Sequence, residues 1–384
     1  MGAQDIKMIE AFDQPIYITR PLLPALDLFA ARLREVWDAQ WLSNDGFQLR
    51  CLNEELRRVL RVPYLSMFNN GTVALLVALR SLGLKGEVIT TPFTFPATTH
   101  VLSWSGIVPV FCDVHPRTLT IDPKKIEELV TSKTSGILGV HVYGIPCHVD
   151  EIAAVARRCG LRVIFDAAHA FATELNGYGI GNFGDITMFS FHATKLFHTA
   201  EGGCLTFSDP DLKPRIDLLK NFGITGETEV LIPGINGKMN ELQAVMGRLV
   251  LEMVADERTR RMAIEDLYKE YLGDIPGIEF IEAPSDVVHA LQYFAIRIVQ
   301  AEFGKSRDDV FKALRKYNVF ARKYFFPLTS DYPCYQDLPT ARVELLPNAH
   351  RAAREVLCLP FYGALDHLAV ERICAIIRSV RNAG

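Results

Sequence analysis

Strand patterns and helix patterns alternate along most of this chain, and this alternation constrains its fold more than any other feature. Each predicted strand is a short apolar run, and each predicted helix is a run of helix-favouring residues or begins at a capping residue. The strand patterns lie at residues 87–91, 108–112, 136–140 and 161–165, and the helix patterns at 72–79, 122–130 and 150–158. Such alternation is typical of a mostly parallel sheet with helices on both faces. We therefore predict an α/β fold whose sites lie at the carboxyl ends of the strands.

The pattern changes towards the end of the chain. A long helix pattern at 239–256 runs into a charged stretch at 256–261, which we interpret as an exposed helix face. Beyond it, a strand pattern at 293–299 and a helix pattern at 306–316 indicate a smaller α+β unit. A chain of 384 residues is long enough for two domains. We expect a large domain with an N-terminal arm over residues 1–255 and a small C-terminal domain over residues 256–384.

Composition and charge exclude several classes of function. A net charge of −4 gives no electrostatic basis for binding nucleic acid or an anionic membrane surface. No stretch approaches a membrane span, and the first residues lack the basic and then apolar order of a signal peptide. The eight cysteines include no Cys-x-x-Cys pair, which favours reduced thiols and a cytoplasmic location. Cys147 and His148 are too few ligands for a metal site, and we predict none.

Two side chains point to a specific chemistry. Asp166 ends the strand pattern at 161–165, and Lys195 follows a second apolar run, Phe189-Ser190-Phe191. At the ends of neighbouring buried strands, the amine can form a Schiff base with the aldehyde of pyridoxal phosphate. The carboxylate can keep the pyridine nitrogen of that cofactor protonated. Burial should lower the pKa of Lys195, so that its free amine can act as a base. The alternatives are a surface lysine and an aspartate that caps a helix.

Five linked motifs carry a resemblance to a known family. In chain order they are Asn70-Gly71-Thr72-Val73-Ala74-Leu75, Thr94-Phe95, Asp166-Ala167-Ala168-His169-Ala170, Ser190-Phe191-His192-Ala193-Thr194-Lys195 and Gly234-Ile235-Asn236-Gly237-Lys238-Met239-Asn240-Glu241. With these motifs the chain resembles the DegT/DnrJ/EryC1/StrS family of pyridoxal-phosphate-dependent sugar aminotransferases over nearly its whole length. The resemblance implies the fold-type I architecture of aspartate aminotransferase, with pyridoxal 5'-phosphate as cofactor. Some relatives carry histidine in place of Lys195 and perform dehydration, so the lysine favours transamination.

The resemblance also assigns residues to the phosphate of the cofactor. Gly71 and Thr72 begin a predicted helix, so their N–H groups and the Thr72 hydroxyl can bind the phosphate. Ser190 should add a second hydroxyl. Asn236 matches an asparagine that reaches the phosphate of the neighbouring subunit's cofactor, which implies a homodimer with shared active sites.

Three further residues are assigned to the ring of the cofactor, beside the Asp166 carboxylate that pairs with the pyridinium. The resemblance implies that Ala168 packs against one ring face and that His169 hydrogen-bonds the ring hydroxyl oxygen. It implies that Phe95 stacks on the exposed face. A structural histidine and a core phenylalanine are the alternatives for His169 and Phe95.

Substrate-binding residues follow from the same resemblance. Ser43, Asn44 and Tyr324 lie in segments that line the sugar-nucleotide pocket of relatives. Lys238 stands where many members of the family have arginine, and lysine offers a point charge in place of a bidentate contact with a carboxylate.

The expected reaction is amino transfer from L-glutamate to a nucleotide-linked keto-deoxysugar. The segments Phe191-His192-Ala193-Thr194-Lys195 and Thr19-Arg20-Pro21 are similar to those of the group that forms 4-amino-4,6-dideoxy sugars from dTDP-4-keto-6-deoxyglucose. A 3-keto sugar nucleotide and a cyclic ketone such as a keto-inositol are alternative substrates. A cofactor-binding regulator without turnover is the alternative function.

Overall fold

The alternating patterns form a seven-stranded central sheet, and the computed structural model describes residues 10–382 of the chain. The helices are α1 (Leu26–Ala39), α2 (Phe47–Leu60), α3 (Gly71–Ser81), α4 (Pro96–Trp104), α5 (Pro123–Ile126), α6 (Val149–Cys159), α7 (Leu212–Leu219), α8 (Glu241–Leu272), α9 (Gln300–Phe303), α10 (Arg307–Lys316), α11 (Pro347–Glu355) and α12 (His367–Asn382). The strands are β1 (Ile16–Tyr17), β2 (Tyr64–Phe68), β3 (Glu87–Thr90), β4 (Val108–Phe111), β5 (Thr134–Val140), β6 (Arg162–Asp166), β7 (Glu174–Leu175), β8 (Tyr178–Gly179), β9 (Ile186–Ser190), β10 (Gly203–Phe207), β11 (Ile278–Phe280), β12 (Val287–Val288), β13 (Phe294–Ile298), β14 (Val319–Phe320) and β15 (Val356–Leu359).

The central sheet is parallel except for one strand, which confirms the predicted fold class. Its strand order is β2-β10-β9-β6-β5-β3-β4, and only β10 is antiparallel to its neighbours. The carboxyl ends of β2, β9, β6, β5 and β3 therefore meet at one edge, together with the start of β10. This edge is where a site is expected in such a fold.

Helices cover both faces of this sheet because consecutive strand residues point to opposite sides. Leu138 and Ile164 pack with apolar side chains of α3 and α4. Their neighbours Ile137 and Val163 pack with α6 on the other face. The strands are accordingly apolar at nearly every position, as is typical of a parallel sheet.

The last part of the chain forms a smaller unit around the antiparallel sheet β11-β13-β15. Helices α10 and α12 pack on it through a separate apolar cluster, to which Ile264, Tyr268 and Leu272 of α8 also contribute. Helix α8 runs without interruption through the expected domain boundary at residue 255. The division into domains at that residue remains a prediction. The two ends of the predicted domains, residues 1–9 and 383–384, lie outside the described part of the chain.

The helix predicted at 122–130 is confirmed at its start, but its second half is not α-helical. Asp122 does cap it, since its carboxylate accepts a hydrogen bond from the N–H of Lys124 (3.1 Å). The α-helix nevertheless ends at Ile126 and is followed by a short 3₁₀ turn. The Thr134 hydroxyl accepts a hydrogen bond from the N–H of Thr131 (2.9 Å), and this local contact favours a turn over further helix.

The prediction of an exposed charged face at 256–261 is wrong for two of its residues. Glu257 and Arg261 are 4% and 1% exposed and form an ion pair (2.7 Å) within α8. The helix begins at Glu241, after the cap Asn240 and two residues later than predicted, and it continues through the charged stretch to Leu272. Because its second half is covered by the smaller unit, these charges are buried as a pair.

No described helix is long and apolar enough to cross a bilayer. The residues on which the signal-peptide prediction depends, 1–9, lie outside the described part of the chain.

Candidate active site

Asp166 is a buried carboxylate at the carboxyl end of β6, with an exposed fraction of 5%. It accepts hydrogen bonds from the N–H of Ala168 (3.0 Å) and from the hydroxyl of Thr98 (2.8 Å). Burial raises the pKa of this carboxyl above its ordinary value, and the two hydrogen bonds and Lys195 oppose that rise. The residues after Asp166 form turns, which excludes a helix cap. A carboxylate in this state is stabilised by a cation placed against it.

Lys195 is partly buried in the turn segment after β9. Its amine lies 5.9 Å from the centre of the Tyr293 ring. Burial lowers the pKa of Lys195 to about 8, and attraction to the Asp166 carboxylate opposes this shift. The direction agrees with the expectation from the sequence and excludes a surface lysine. Part of the population therefore carries a free amine at neutral pH.

The start of α3 leaves main-chain donors and open space at the edge of the sheet. Asn70 caps the helix, since its side chain accepts a hydrogen bond from the N–H of Val73 (2.8 Å). The N–H groups of Gly71 and Thr72 belong to the first turn and have no partner within the helix. Ser190 ends β9 beside them: a Cβ atom placed on Gly71 would lie 3.2 Å from the Ser190 Cβ and 3.4 Å from its Oγ. Glycine therefore keeps this space open between the helix terminus and the hydroxyl.

His169 is buried close to this edge and has a defined protonation state. Its ring is parallel to that of Phe325, with centres 5.8 Å apart. Burial lowers the pKa of His169 far below its ordinary value, so the ring is neutral. Because Nδ1 accepts a hydrogen bond from the N–H of Tyr143 (3.4 Å), the proton lies on Nε2, which can donate to an oxygen.

Phe95 is exposed, unlike the neighbouring Phe93. The exposed fraction of Phe95 is 58%, whereas Phe93 is fully buried, so Phe95 is not a core residue. It lies directly before α4, the helix that carries Thr98 to the Asp166 carboxylate. Ala168 is partly exposed two residues after Asp166.

Asn236 lies next to the start of α3 of its own chain. Its backbone carbonyl accepts a hydrogen bond from the side chain of Asn69 (3.4 Å), and the Asn69 N–H donates to the carbonyl of Gly237 (2.9 Å). The Asn236 side chain is exposed. The segment around Asn236 thus lies close to the start of α3 in its own chain, whereas the sequence indicated a contact with the neighbouring subunit.

Lys238 and Asn44 line a separate cavity of about 330 Å³. The Lys238 amine donates a hydrogen bond to the side chain of Asn221 and lies 5.2 Å from the centre of the Phe222 ring. Neither Asp166 nor Lys195 lines this cavity. Within one chain, Lys238 and Asn44 therefore do not lie together with Asp166 and Lys195. Ser43 is exposed beside Asn44 and does not line the cavity.

Tyr324 lies on the side of Lys195. Its ring centre is 5.1 Å from that of Tyr293, the ring that faces the Lys195 amine. The sequence did not single out Tyr293, Thr98 or Gln292, although all three contact the reactive pair or the backbone beside it. Their contacts join distant parts of the chain, and no local pattern marks them.

Comparison with known proteins shows what this chain is similar to. The model of the DegT/DnrJ/EryC1/StrS aminotransferase family matches residues 27–378. A dTDP-4-amino-4,6-dideoxy-D-glucose transaminase from Shigella dysenteriae is 42% identical over 96% of this chain and 100% of its own length. A protein of the same name from Escherichia coli is 40% identical over 95% of this chain and 98% of its own. The solved structure of DesI in the presence of its TDP-sugar product is 36% identical, with a TM-score of 0.93 over 98% of this chain and 95% of its own.

Proposed function

Because this chain belongs to the DegT/DnrJ/EryC1/StrS aminotransferase family, we propose that it transfers an amino group from L-glutamate to a keto sugar linked to a nucleotide. The membership confirms the resemblance seen in the sequence. The observation that carries the proposal is the pair of Asp166 and Lys195 at the edge of the sheet. Burial raises the pKa of Asp166 and lowers that of Lys195, so the site disfavours both charges until a ligand compensates them.

The residues at this edge fit pyridoxal 5'-phosphate as cofactor. Gly71, Thr72 and Ser190 would hold its phosphate, and Asp166 would pair with its ring nitrogen. His169 would donate to the ring hydroxyl oxygen. When bound, the cofactor supplies an electron sink for the carbanion that forms beside the amino group.

Three more residues complete the proposed cofactor site. Ala168 would pack against one face of the ring, and Phe95 would stack on the other. The exposure of Phe95 supports this role, since a flat ligand would cover an aromatic side chain that is otherwise open to solvent. Asn236 would contribute to the phosphate site of the partner subunit.

Lys195 would move the proton in both halves of the reaction. With its pKa at about 8, its amine can take the proton from the α-carbon of L-glutamate at neutral pH. In the second half it would return a proton at the carbon of the former ketone. L-glutamate then leaves as 2-oxoglutarate, and the keto sugar leaves as the amino sugar.

We propose dTDP-4-keto-6-deoxyglucose as the amino acceptor. The names and the identities of the two transaminase relatives support this choice, as does the TDP-sugar product in the DesI structure. Tyr324 lies on the side of Lys195 and would contact the sugar. Ser43, Asn44 and Lys238 would contact the nucleotide part from the cavity that they line or border.

We also propose that the enzyme is a cytoplasmic homodimer with shared sites. Apolar side chains are exposed along the segment 222–235, where their exposure does not stabilise a monomer. These side chains are Phe222, Ile224, Val230, Leu231 and Ile235. Asn236 directly follows them, so a partner that covers this surface would bring the Asn236 side chain close to its own site.

A screen of keto sugar nucleotides with L-glutamate as donor tests the proposal, with products identified by mass spectrometry and NMR. We expect dTDP-4-amino-4,6-dideoxyglucose from wild type and no product from Lys195→Ala. Lys133→Ala, which removes an exposed lysine, is the matched control and should retain activity. Amination at carbon 3 alone would replace the substrate assignment. A cofactor absorbance that L-glutamate does not change would identify a regulator without turnover.

A further inference from the structure

The side chain of Gln292 bridges the backbone on both sides of Lys195. Its amide oxygen accepts a hydrogen bond from the N–H of Leu196 (2.7 Å), and its amide nitrogen donates to the carbonyl of Thr194 (3.0 Å). The exposed fraction of Gln292 is 2%, so water does not compete for these contacts. Both ends of the amide are therefore committed to the residues that flank the reactive lysine.

The backbone of Gln292 is itself anchored to α8. Arg261 donates to the carbonyl of Leu291 (3.0 Å) and to that of Gln292 (3.5 Å). Leu291 has a φ of 57°, in the left-handed region that a leucine rarely adopts, so this contact stabilises an unfavourable backbone. Glu257 accepts a hydrogen bond from Arg261 (2.7 Å) and another from the N–H of Gly363 (2.8 Å). The main chain at Gln292 is thus anchored to a buried ion pair.

We propose that Gln292 is a positioning residue that fixes the main chain around Lys195 and keeps the lysine amine against the Tyr293 ring and close to Asp166. The inference rests on the proposed role of Lys195 in the reaction. On the N-terminal side of the turn, the Lys195 N–H donates a hydrogen bond to the carbonyl of His192 (2.8 Å). On the C-terminal side, the Gln292 bridge holds the N–H of Leu196.

Loss of the bridge should change the surroundings of the Lys195 amine. The Leu196 N–H and the Thr194 carbonyl would need new partners, and water is the available one. A turn opened to water would solvate the amine. Three titratable groups face the amine: Asp166 of β6, His169 after it and Tyr293 beside β13. The hydrogen bonds that hold Asp166 and His169 do not involve Gln292, so both groups would remain in place. The expected outcome is a rise in the pKa of Lys195.

Gln292→Met tests the inference, because methionine keeps the length of the side chain without either hydrogen bond. In cofactor-free protein, Lys195 is labelled with trace acetic anhydride over a range of pH, and its peptide is quantified by mass spectrometry. We expect its apparent pKa to rise from about 8 towards the ordinary value of about 10.4. In the loaded enzyme, kcat should fall about 10- to 100-fold with little change in KM for the sugar nucleotide.

Gln48→Met is the matched control. Gln48 is 1% exposed, and its side chain makes two hydrogen bonds, to Glu35 (2.7 Å) and from Arg248 (2.7 Å). It should lose comparable thermal stability and leave the pKa of Lys195 unchanged. A general loss of stability therefore cannot mimic the expected result.

Gln292→Asn provides a second, milder variant, in which the amide is one methylene too short to reach both partners. It decides the question if the methionine variant does not fold, and we expect the same rise in the pKa of Lys195. An unchanged Lys195 pKa in whichever of these variants folds would overturn the inference. Failure of the proposed function would appear separately, as wild type that does not aminate any keto sugar nucleotide.

Discussion

At the scale of single residues, desolvation decides the chemistry of the site. Asp166 and Lys195 attract each other, yet burial dominates both, so the carboxyl has a raised pKa and the amine a lowered one. Two hydrogen bonds to the carboxylate do not reverse this order. In the proposed site, the carboxylate would pair with a cationic ring nitrogen and the amine would react with the aldehyde of the cofactor. The burial of both groups lowers folding stability, as is common for functional groups.

The uptake of pyridoxal 5'-phosphate by cofactor-free protein should depend on pH through Lys195. Attack on the aldehyde needs the neutral amine, so the rate should rise with pH and have its midpoint at about 8. An ordinary lysine would place the midpoint at about 10.4. Stopped-flow absorbance measures the rate. Because the Asp166 carboxylate raises the pKa of Lys195, Asp166→Asn should move the midpoint to lower pH. A midpoint above about 10 would contradict the assignment.

Asp166→Asn should also reduce the rate of transamination by roughly two to four orders of magnitude. A neutral amide does not keep the ring nitrogen protonated, and the electron sink is lost. Asp113→Asn is the matched control, since Asp113 is buried and accepts the N–H groups of Asn348 (3.2 Å) and Ala349 (2.9 Å) at the start of α11. It should lose stability but retain its rate per folded molecule. If Asp166→Asn had only a mild effect on the rate, Asp166 would have a structural role and no catalytic one.

The sequence predicted Asp166 and Lys195 as the reactive residues but did not predict the residues that hold them. Asp166 and Lys195 stand at recognisable strand ends within motifs. Thr98 bonds Asp166 from 68 positions away, and Gln292 bonds Leu196, beside Lys195, from 96 positions away. The local sequence of Thr98 and Gln292 has no feature that predicts such contacts. Side-chain hydrogen bonds over such separations depend on how the elements pack, which is not encoded in a local pattern.

At the scale of elements, local side-chain contacts set where helices begin. Asn70, Asn240 and Ser306 each bond the backbone of the first turn of α3, α8 and α10. A local pattern does not predict burial where a neighbouring unit decides it. The charges of Glu257 and Arg261 are typical of a solvated face, but the smaller unit covers them. Periodicity describes a helix and not the partner that packs on it.

Gly71→Ala should weaken cofactor binding through the start of α3. The added Cβ would lie 3.2 Å from the Ser190 Cβ and from the Met188 Sδ, which is tighter than normal packing. We expect a cost of about 1–3 kcal/mol, shared between stability and affinity for pyridoxal 5'-phosphate. Equilibrium titration of the cofactor absorbance measures the affinity.

Gly226→Ala is the control for this substitution, because a Cβ at Gly226 meets no atom within 4 Å. It should bind the cofactor as wild type does. Equal affinities of the two variants would show that the space beside Gly71 is not the phosphate site.

At the scale of the whole molecule, parallel strands bring the reactive pair and the start of α3 to one edge, whereas other predicted residues lie elsewhere. Lys238 and Asn44 line a cavity that includes neither Asp166 nor Lys195. A second copy of the chain, docked on the exposed apolar side chains around residues 222–235, would bring such residues to the neighbouring site. On this proposal, the sequence predicts members of a site that two copies of the chain assemble together.

Mixing two inactive variants tests whether the sites are shared. One is Lys195→Ala, and the other is Asn236→Asp, which places a negative charge against the phosphate. If Asn236 acts across the interface, one site of a mixed dimer carries both lesions and the other carries neither. Activity should then return, up to about half per mixed dimer, once subunits have exchanged. If each chain owns its whole site, every site keeps one lesion and mixing restores nothing. Native mass spectrometry of the mixture measures how far the subunits have exchanged, and a monomer that is active at high dilution would exclude shared sites.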